Sequence, residues 1–183
     1  MSLPHAILGF LGYQPMSGYD LKKMFDISVQ HFWPADQSQI YRTLQQLADK
    51  GWAELEVVAQ EDRPDRKVYH ITEAGRAELR RWLTGPLKAQ DQRSPQLVQV
   101  FFAGQLSDEE ILPMFERGAA AMRGLLERYA QIPALSQPYQ ETCGAPREVF
   151  FWMLTLECGV RMAQAQLEWL ESVISRIKAG AAR

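Results

Sequence analysis

Between residues 38 and 51 the apolar side chains Ile40, Leu44 and Leu47 recur at steps of four and three, which at about 100° of turn per residue stacks them with Gly51 in one narrow stripe. Ser38, Arg42, Gln45, Gln46 and Asp49 fall on the opposite side. The spacing predicts a helix that packs by one face and leaves the other free. Past Gly51 the period shortens: Ala53, Leu55 and Val57 alternate with Glu54 and Glu56, and Tyr69 and Ile71 alternate with Val68 and His70. That is the period of strands with one buried face. Between them residues 60–67 hold Pro64 and two Asp residues, which predicts a turn and hence a two-stranded wing directly after the helix.

Upstream, Ser17 reads as an N-cap with Asp20 near the positive helix end, followed by apolar Leu21, Met24 and Phe25. An earlier helix is expected over residues 3–12, with Pro4 in its first turn and Gly12 as its stop. Pro34 argues against continuous helix from Phe25 to Ser38, and Phe32 and Trp33 in that connection are expected to pack. Thr72 caps a fourth helix over residues 73–83, with Glu73 set against its dipole.

Residues 84–95 break the surrounding periodicity and read as a linker, dividing the chain into residues 1–85 and 93–183. Ser94 and Pro95 then start a short helix ending near Gly104, and Ser107 with Glu110 forms a capping box for a longer one, in which Pro113 is expected to make a bend. Phe115, Ala119, Met122, Leu126 and Tyr129 give that helix a core-facing stripe, and the prolines of residues 132–146 predict a loop. The last helix, 147 to about 178, carries an alternation of four and three through Val149, Met153, Leu156, Val160, Ala163, Leu167, Leu170, Ile174 and Ile177. Roughly 48 Å of helix exceeds a small helical domain. Part of the seam is therefore expected on the preceding long helix and part on a second chain, with Val149, Met153, Leu156, Val160, Leu167, Trp169, Leu170 and Ile174 as dimerisation residues.

The fold class is thus mainly α with a small β-hairpin wing: an N-terminal winged helix-turn-helix and a C-terminal helical dimerisation domain. Composition leaves this in place, since 183 residues at 46% hydrophobic and 23% charged are ordinary for a globular protein. No N-terminal stretch has the make-up of a secretory signal and the longest apolar run, residues 149–154, is far too short to span a bilayer, so a cytoplasmic location is expected. Cys143, expected in a loop, and Cys158 have no CxxC spacing, and His5, His31 and His70 are widely scattered. With no Ser/His/Asp grouping, P-loop or GxGxxG either, neither an enzyme nor a metal or cofactor site is expected.

Charge does change the picture. Residues 1–85 carry 10 Lys and Arg against 11 Asp and Glu, as do residues 86–183. A winged module that binds double-stranded DNA must then rely on local clusters rather than a basic surplus. The candidates are Tyr19, Lys22 and Lys23 on the second helix, Ser38, Gln39, Tyr41, Arg42, Thr43 and Gln46 on the third, and Arg63, Arg66 and Lys67 at the hairpin tip. Arg42 is the best placed to read a guanine edge, and the hairpin cations suit phosphates. In the second half, Phe101, Phe115 and Trp152 with Glu157, Arg161 and Gln164 could line an apolar effector pocket, although such residues also fill ordinary cores. Two other readings stay open: a winged helix used for protein interaction, and an apolar-ligand binder without operator contact.

The chain resembles the PadR family of winged-helix transcriptional regulators. The matching residues are Gly18-Tyr19-Asp20-Leu21, Gln39-Ile40-Tyr41-Arg42-Thr43-Leu44 with Leu47 and Lys50-Gly51-Trp52, and Tyr69-His70-Ile71-Thr72-Glu73-Ala74-Gly75. Arg93-Ser94-Pro95, Phe101-Phe102-Ala103, Ser107 to Glu110 and Glu168-Trp169-Leu170-Glu171 are similar to the longer, Vir-like C-terminal domain of that family. The resemblance implies a homodimeric repressor on a palindromic operator, released in several branches by a small aromatic or lipophilic effector.

Overall fold

Local hydrogen bonding sets most helix starts. In the computed structural model, which describes residues 2–30, 32–59, 65–87, 94–143 (side chains to 137) and 145–180, α1 spans Leu3–Tyr13, one residue past Gly12. It is followed by β1 (Met16–Ser17), α2 (Gly18–Ile27) and α3 (Gln37–Asp49). The wing is β2 (Ala53–Val58) and β3 (Arg66–Ile71), and α4 (Glu73–Leu83) follows. Ser17 caps α2, its hydroxyl accepting from Asp20 N–H at 3.2 Å while the Asp20 carboxylate accepts from Ser17 N–H at 3.1 Å. Asp36 and Gln39 form the same reciprocal box on α3, and Thr72 caps α4 by accepting from Gly75 N–H at 3.1 Å. Gly51 follows α3 at φ 67, a left-handed position that releases the chain into β2.

These elements bury one core. Ile7, Leu8 and Leu11 of α1, Leu21 and Phe25 of α2, and Ile40, Leu44 and Leu47 of α3 are almost fully enclosed, each such side chain contributing about 1.5–3 kcal/mol. Two glycines leave room that their neighbours fill. A Cβ on Gly18 would lie 2.6 Å from the Tyr41 ring, and one on Gly75 would lie 2.1 Å from the Trp52 carbonyl oxygen. The first fixes α2 against α3; the second fixes α4 against the chain entering the wing.

The sheet has three strands rather than two, in the order β1-β3-β2 and antiparallel throughout. β1 is only two residues long, too short to show a period. The register sets Ala53 opposite Ile71 and Leu55 opposite Tyr69. The expected buried face of β2 is corrected: Ala53 is buried, but Leu55 is 43% and Val57 55% exposed, because the hairpin runs on beyond the helices that would cover it. Phe32 is likewise exposed, whereas Trp33 packs on the core. The turn at residues 60–64, with Arg63, and linker residues 88–93 lie outside the described residues.

By compactness Met1–Leu87 and Pro138–Gly144 form one unit, and Lys88–Gln137 and Ala145–Arg183 the other. In the second unit Ser94 caps α5 (Pro95–Phe102), accepting from Leu97 N–H at 3.3 Å, and a single 3-10 turn follows over Ala103–Gln105. At the start of α6 (Asp108–Cys143) the Glu110 carboxylate accepts from Ser107 N–H and Oγ, both at 2.8 Å, half of the expected capping box. Those bonds hold the Glu110 carboxyl below the usual range.

The loop expected over residues 132–146 is largely helix, and Cys143 ends α6 rather than sitting in a loop. Proline keeps a helical φ and removes one intrahelical hydrogen bond, so a helix with other support runs through it. Within this stretch Ser136 Oγ donates to the Pro133 carbonyl at 3.2 Å.

α7 (Pro146–Lys178) lies antiparallel to α6, as Gly118 against Leu170 and Gly159 against the Tyr129 ring establish. Lys178 pairs with Glu116 at 2.8 Å and Arg123 with Glu171 at 2.6 Å along the flanks. The seam therefore closes within the chain. Leu167, Trp169, Leu170 and Ile174 pack with Phe115 and Ala119, and Met153, Leu156 and Val160 pack with Tyr129. This is the intrachain share of the packing expected for the seam: a four-three repeat identifies an apolar face, and α6 supplies a stripe of matching spacing against it. Val149 is half-buried at the start of the helix.

Candidate nucleic-acid interface

The α3 stripe of Ile40, Leu44 and Leu47 is sealed in the core, and this orients the opposite face outward. Ser38, Arg42 and Gln46, one turn apart, are exposed and make no side-chain hydrogen bond or ion pair among the described residues. They offer a hydroxyl, a guanidinium and an amide in a row, groups that suit phosphate and the major-groove edges of bases. Gln45 bonds Asp49 at 2.9 Å and lies beside that row.

Of the other α3 candidates one is buried and two, still exposed, also make a capping or a packing contact. Thr43 is 7% exposed and sits on the core side, since it follows Ile40 by three residues and precedes Leu47 by four. Gln39 is committed to the cap, its Oε1 accepting from Asp36 N–H at 3.1 Å. Tyr41 lays its ring on Gly18 and remains partly exposed. Tyr69 beneath it is buried, and burial, with a smaller push from Tyr41, raises its hydroxyl pKa.

The cations divide into paired and unpaired. Lys22 is ion-paired with Asp26 one turn on, and Arg66 donates from Nη2 to Asp20 Oδ2 at 2.6 Å. Lys23 stands 4.5 Å over the exposed Tyr19 ring, a cation–π contact that leaves the ammonium facing water. Arg42 and Lys67 have no carboxylate partner among the described residues. The Asp20–Arg66 pair escapes sequence reading, which sees Asp20 only as part of a cap; no local spacing signals a bond across 46 residues. Lys50, 4.7 Å over the Trp52 ring just beyond α3, is a further exposed cation it passes over.

The six effector candidates do not share one site within the chain. Phe115 is buried with Trp169 at a centroid separation of 6.2 Å, whereas Phe101 is 81% exposed on α5. Glu157 and Arg161 pair with each other at 2.7 Å on an exposed flank, Gln164 is exposed, and Trp152 is half-buried. Trp152 lies 17 residues before Trp169 on α7, roughly 25 Å along the axis. Among the described residues no cluster of His, Cys, Asp and Glu could hold a metal, and no helix is long and apolar enough to cross a membrane.

Residues 7–81 match the Transcriptional regulator PadR-like family and residues 92–178 match the Virulence activator alpha C-term family. The probable transcriptional regulator Rv1176c of Mycobacterium tuberculosis is 51% identical over 87 residues, which is 48% of this chain and 46% of that protein. The chain thus spans less than half the length of that relative. The negative transcriptional regulator PadR of Bacillus subtilis is 28% identical over 96% of this chain and 97% of its own. Its crystal structure with operator DNA superposes at TM-score 0.81 and 26% identity, covering 97% of this chain and 99% of that one. Its complex with p-coumaric acid does so at TM-score 0.77 and 25% identity, with the same coverage. The family is one of transcriptional regulators and not of enzymes. The chain belongs to the PadR-like family of transcriptional regulators, with a C-terminal half of the virulence-activator alpha type.

Proposed function

We propose that this chain is a cytoplasmic, homodimeric repressor in which residues 1–85 bind a pseudo-palindromic operator and residues 93–183 dimerise. The outward row Ser38, Arg42 and Gln46 on a helix whose other face is sealed carries this reading. Lys67 on the adjoining wing supplies phosphate contact, and the operator complex and negative regulation described for the Bacillus protein support the same role. Two copies of α3 about 34 Å apart read half-sites one turn apart.

Since the α7 seam is taken by α6, the second copy docks on the outer side of the unit. There Phe151, Leu154, Cys158 and Met162 follow one another at steps of three and four opposite the seam, and α5 offers Val98, Phe101 and Phe102, all exposed. The p-coumaric acid complex of the Bacillus protein supports a small aromatic effector. With the six candidates apart in one chain, its pocket is completed by the second copy.

A mobility-shift assay with DNA from the gene's own promoter, at low and moderate salt, tests the function. The reading expects a retarded complex that survives unrelated competitor DNA. A band that the competitor removes, or no band, favours the protein-interaction or ligand-binding alternatives.

A further inference from the structure

Arg66 opens β3 and points its guanidinium at the start of α2 rather than away from the wing. Its Nη2 donates to Asp20 Oδ2 at 2.6 Å, and the same oxygen accepts from Ser17 Oγ at 2.6 Å and from Ser17 N–H at 3.1 Å. Three donors converging on one oxygen fix the carboxylate toward the strand. Burial pushes the Asp20 pKa up, but the bonds from Ser17 and Arg66 outweigh it and hold the group below the usual range, so it is ionised at neutral pH. The pair stays open to water, at 50% exposure for Arg66 and 35% for Asp20. Asp20, Arg66 and Lys23 line one open depression of about 270 Å³. Lys67, the next residue on the same strand, has no such partner among the described residues.

A cation already neutralised by a carboxylate gains little from DNA. If Arg66 moved to a phosphate, Asp20 would be left as a bare anion beside the duplex and would take up a counter-cation, cancelling the one that the phosphate released. Resting on the DNA-binding reading above, we infer that Asp20 is a specificity-determining residue. It competes with phosphate for Arg66 and so withholds the wing arginine from sequence-independent contact, while the α3 face stays free to read bases. Across residues 1–85, whose cations and anions number 10 and 11, this keeps non-specific affinity low where the wing lies closest to the backbone.

The test uses the full-length chain, titrated against a labelled duplex of unrelated sequence over a salt series. The variants are Asp20→Asn, Asp20→Ser and Asp20→Asn with Arg66→Gln; Asn and Ser both keep an acceptor for the cap, and thermal unfolding reports whether each folds. In the two single variants the slope of log affinity against log salt is expected to steepen by about 0.9, one phosphate contact. In the double variant it returns to the wild-type value. An unchanged slope in both single variants overturns the inference, as does a gain that persists without Arg66, since that is a long-range charge effect. A wild-type chain that binds no duplex overturns the DNA-binding reading and the inference with it, whereas wild-type binding with unaltered slopes overturns the inference alone.

Discussion

Arg42 owes its place to its neighbours: Ile40 and Leu44 are anchored in the core, so the residue between them is driven outward with its guanidinium unpaired among the described residues. Arg42→Ala is expected to weaken operator binding by about 1–3 kcal/mol and to relax preference at one base position, measured by titration on the operator and on single-base variants. Gly75 acts through space it leaves empty. Gly75→Ala places a methyl 2.1 Å from the Trp52 carbonyl, and a loss of about 1–3 kcal/mol is expected in chemical denaturation. Asp20 adds a pH dependence whose sign follows from its lowered pKa. Its folded value lies below the unfolded one, so its stabilisation is complete above about pH 4 and is lost as pH falls through the lowered value. Asp20→Asn should therefore flatten the acid limb of a melting-temperature profile; an identical limb would assign acid sensitivity elsewhere.

Elements whose signals are local are legible from the residues alone, and those that depend on a partner are not. Ser17, Thr72, Ser94 and Ser107 start helices by bonding within three residues, and each stands where its chemistry predicts. The alternation in β2 assigns a face, but nothing in it says whether a helix covers that face, and Leu55 and Val57 are left open. The α7 repeat has the same limit, since it cannot tell its own α6 from a second chain. Likewise the spacing on α3 makes Arg42 legible, while the capture of Arg66 by Asp20 is purely tertiary. The seam's closure within the chain changes what its mutation does. Leu170→Ala is expected to cost about 2–5 kcal/mol of stability, and Leu167→Asp to unfold the second unit rather than yield folded monomers. Circular dichroism with sedimentation distinguishes these outcomes. Leu154→Asp with Met162→Asp, on the outer side of α7, is expected to keep the helices and give monomers; a dimer that persists would place the interface elsewhere.

For the molecule as a whole, the charge balance is the controlling quantity. With Lys22 and Arg66 each paired and the cations of each half outnumbered 10 to 11 by anions, bulk attraction to DNA is weak and binding depends on base reading multiplied by two copies. The most direct test is an anisotropy titration of the full-length chain on a fragment of its own promoter and on a shuffled fragment of equal composition, with the wild type and Arg42→Ala side by side. The account predicts saturation at two chains per site, a preference of about a thousandfold or more for the promoter fragment at physiological salt, and loss of most of that preference in the variant. Equal affinity for the two fragments, or an undiminished preference without the Arg42 side chain, would contradict it.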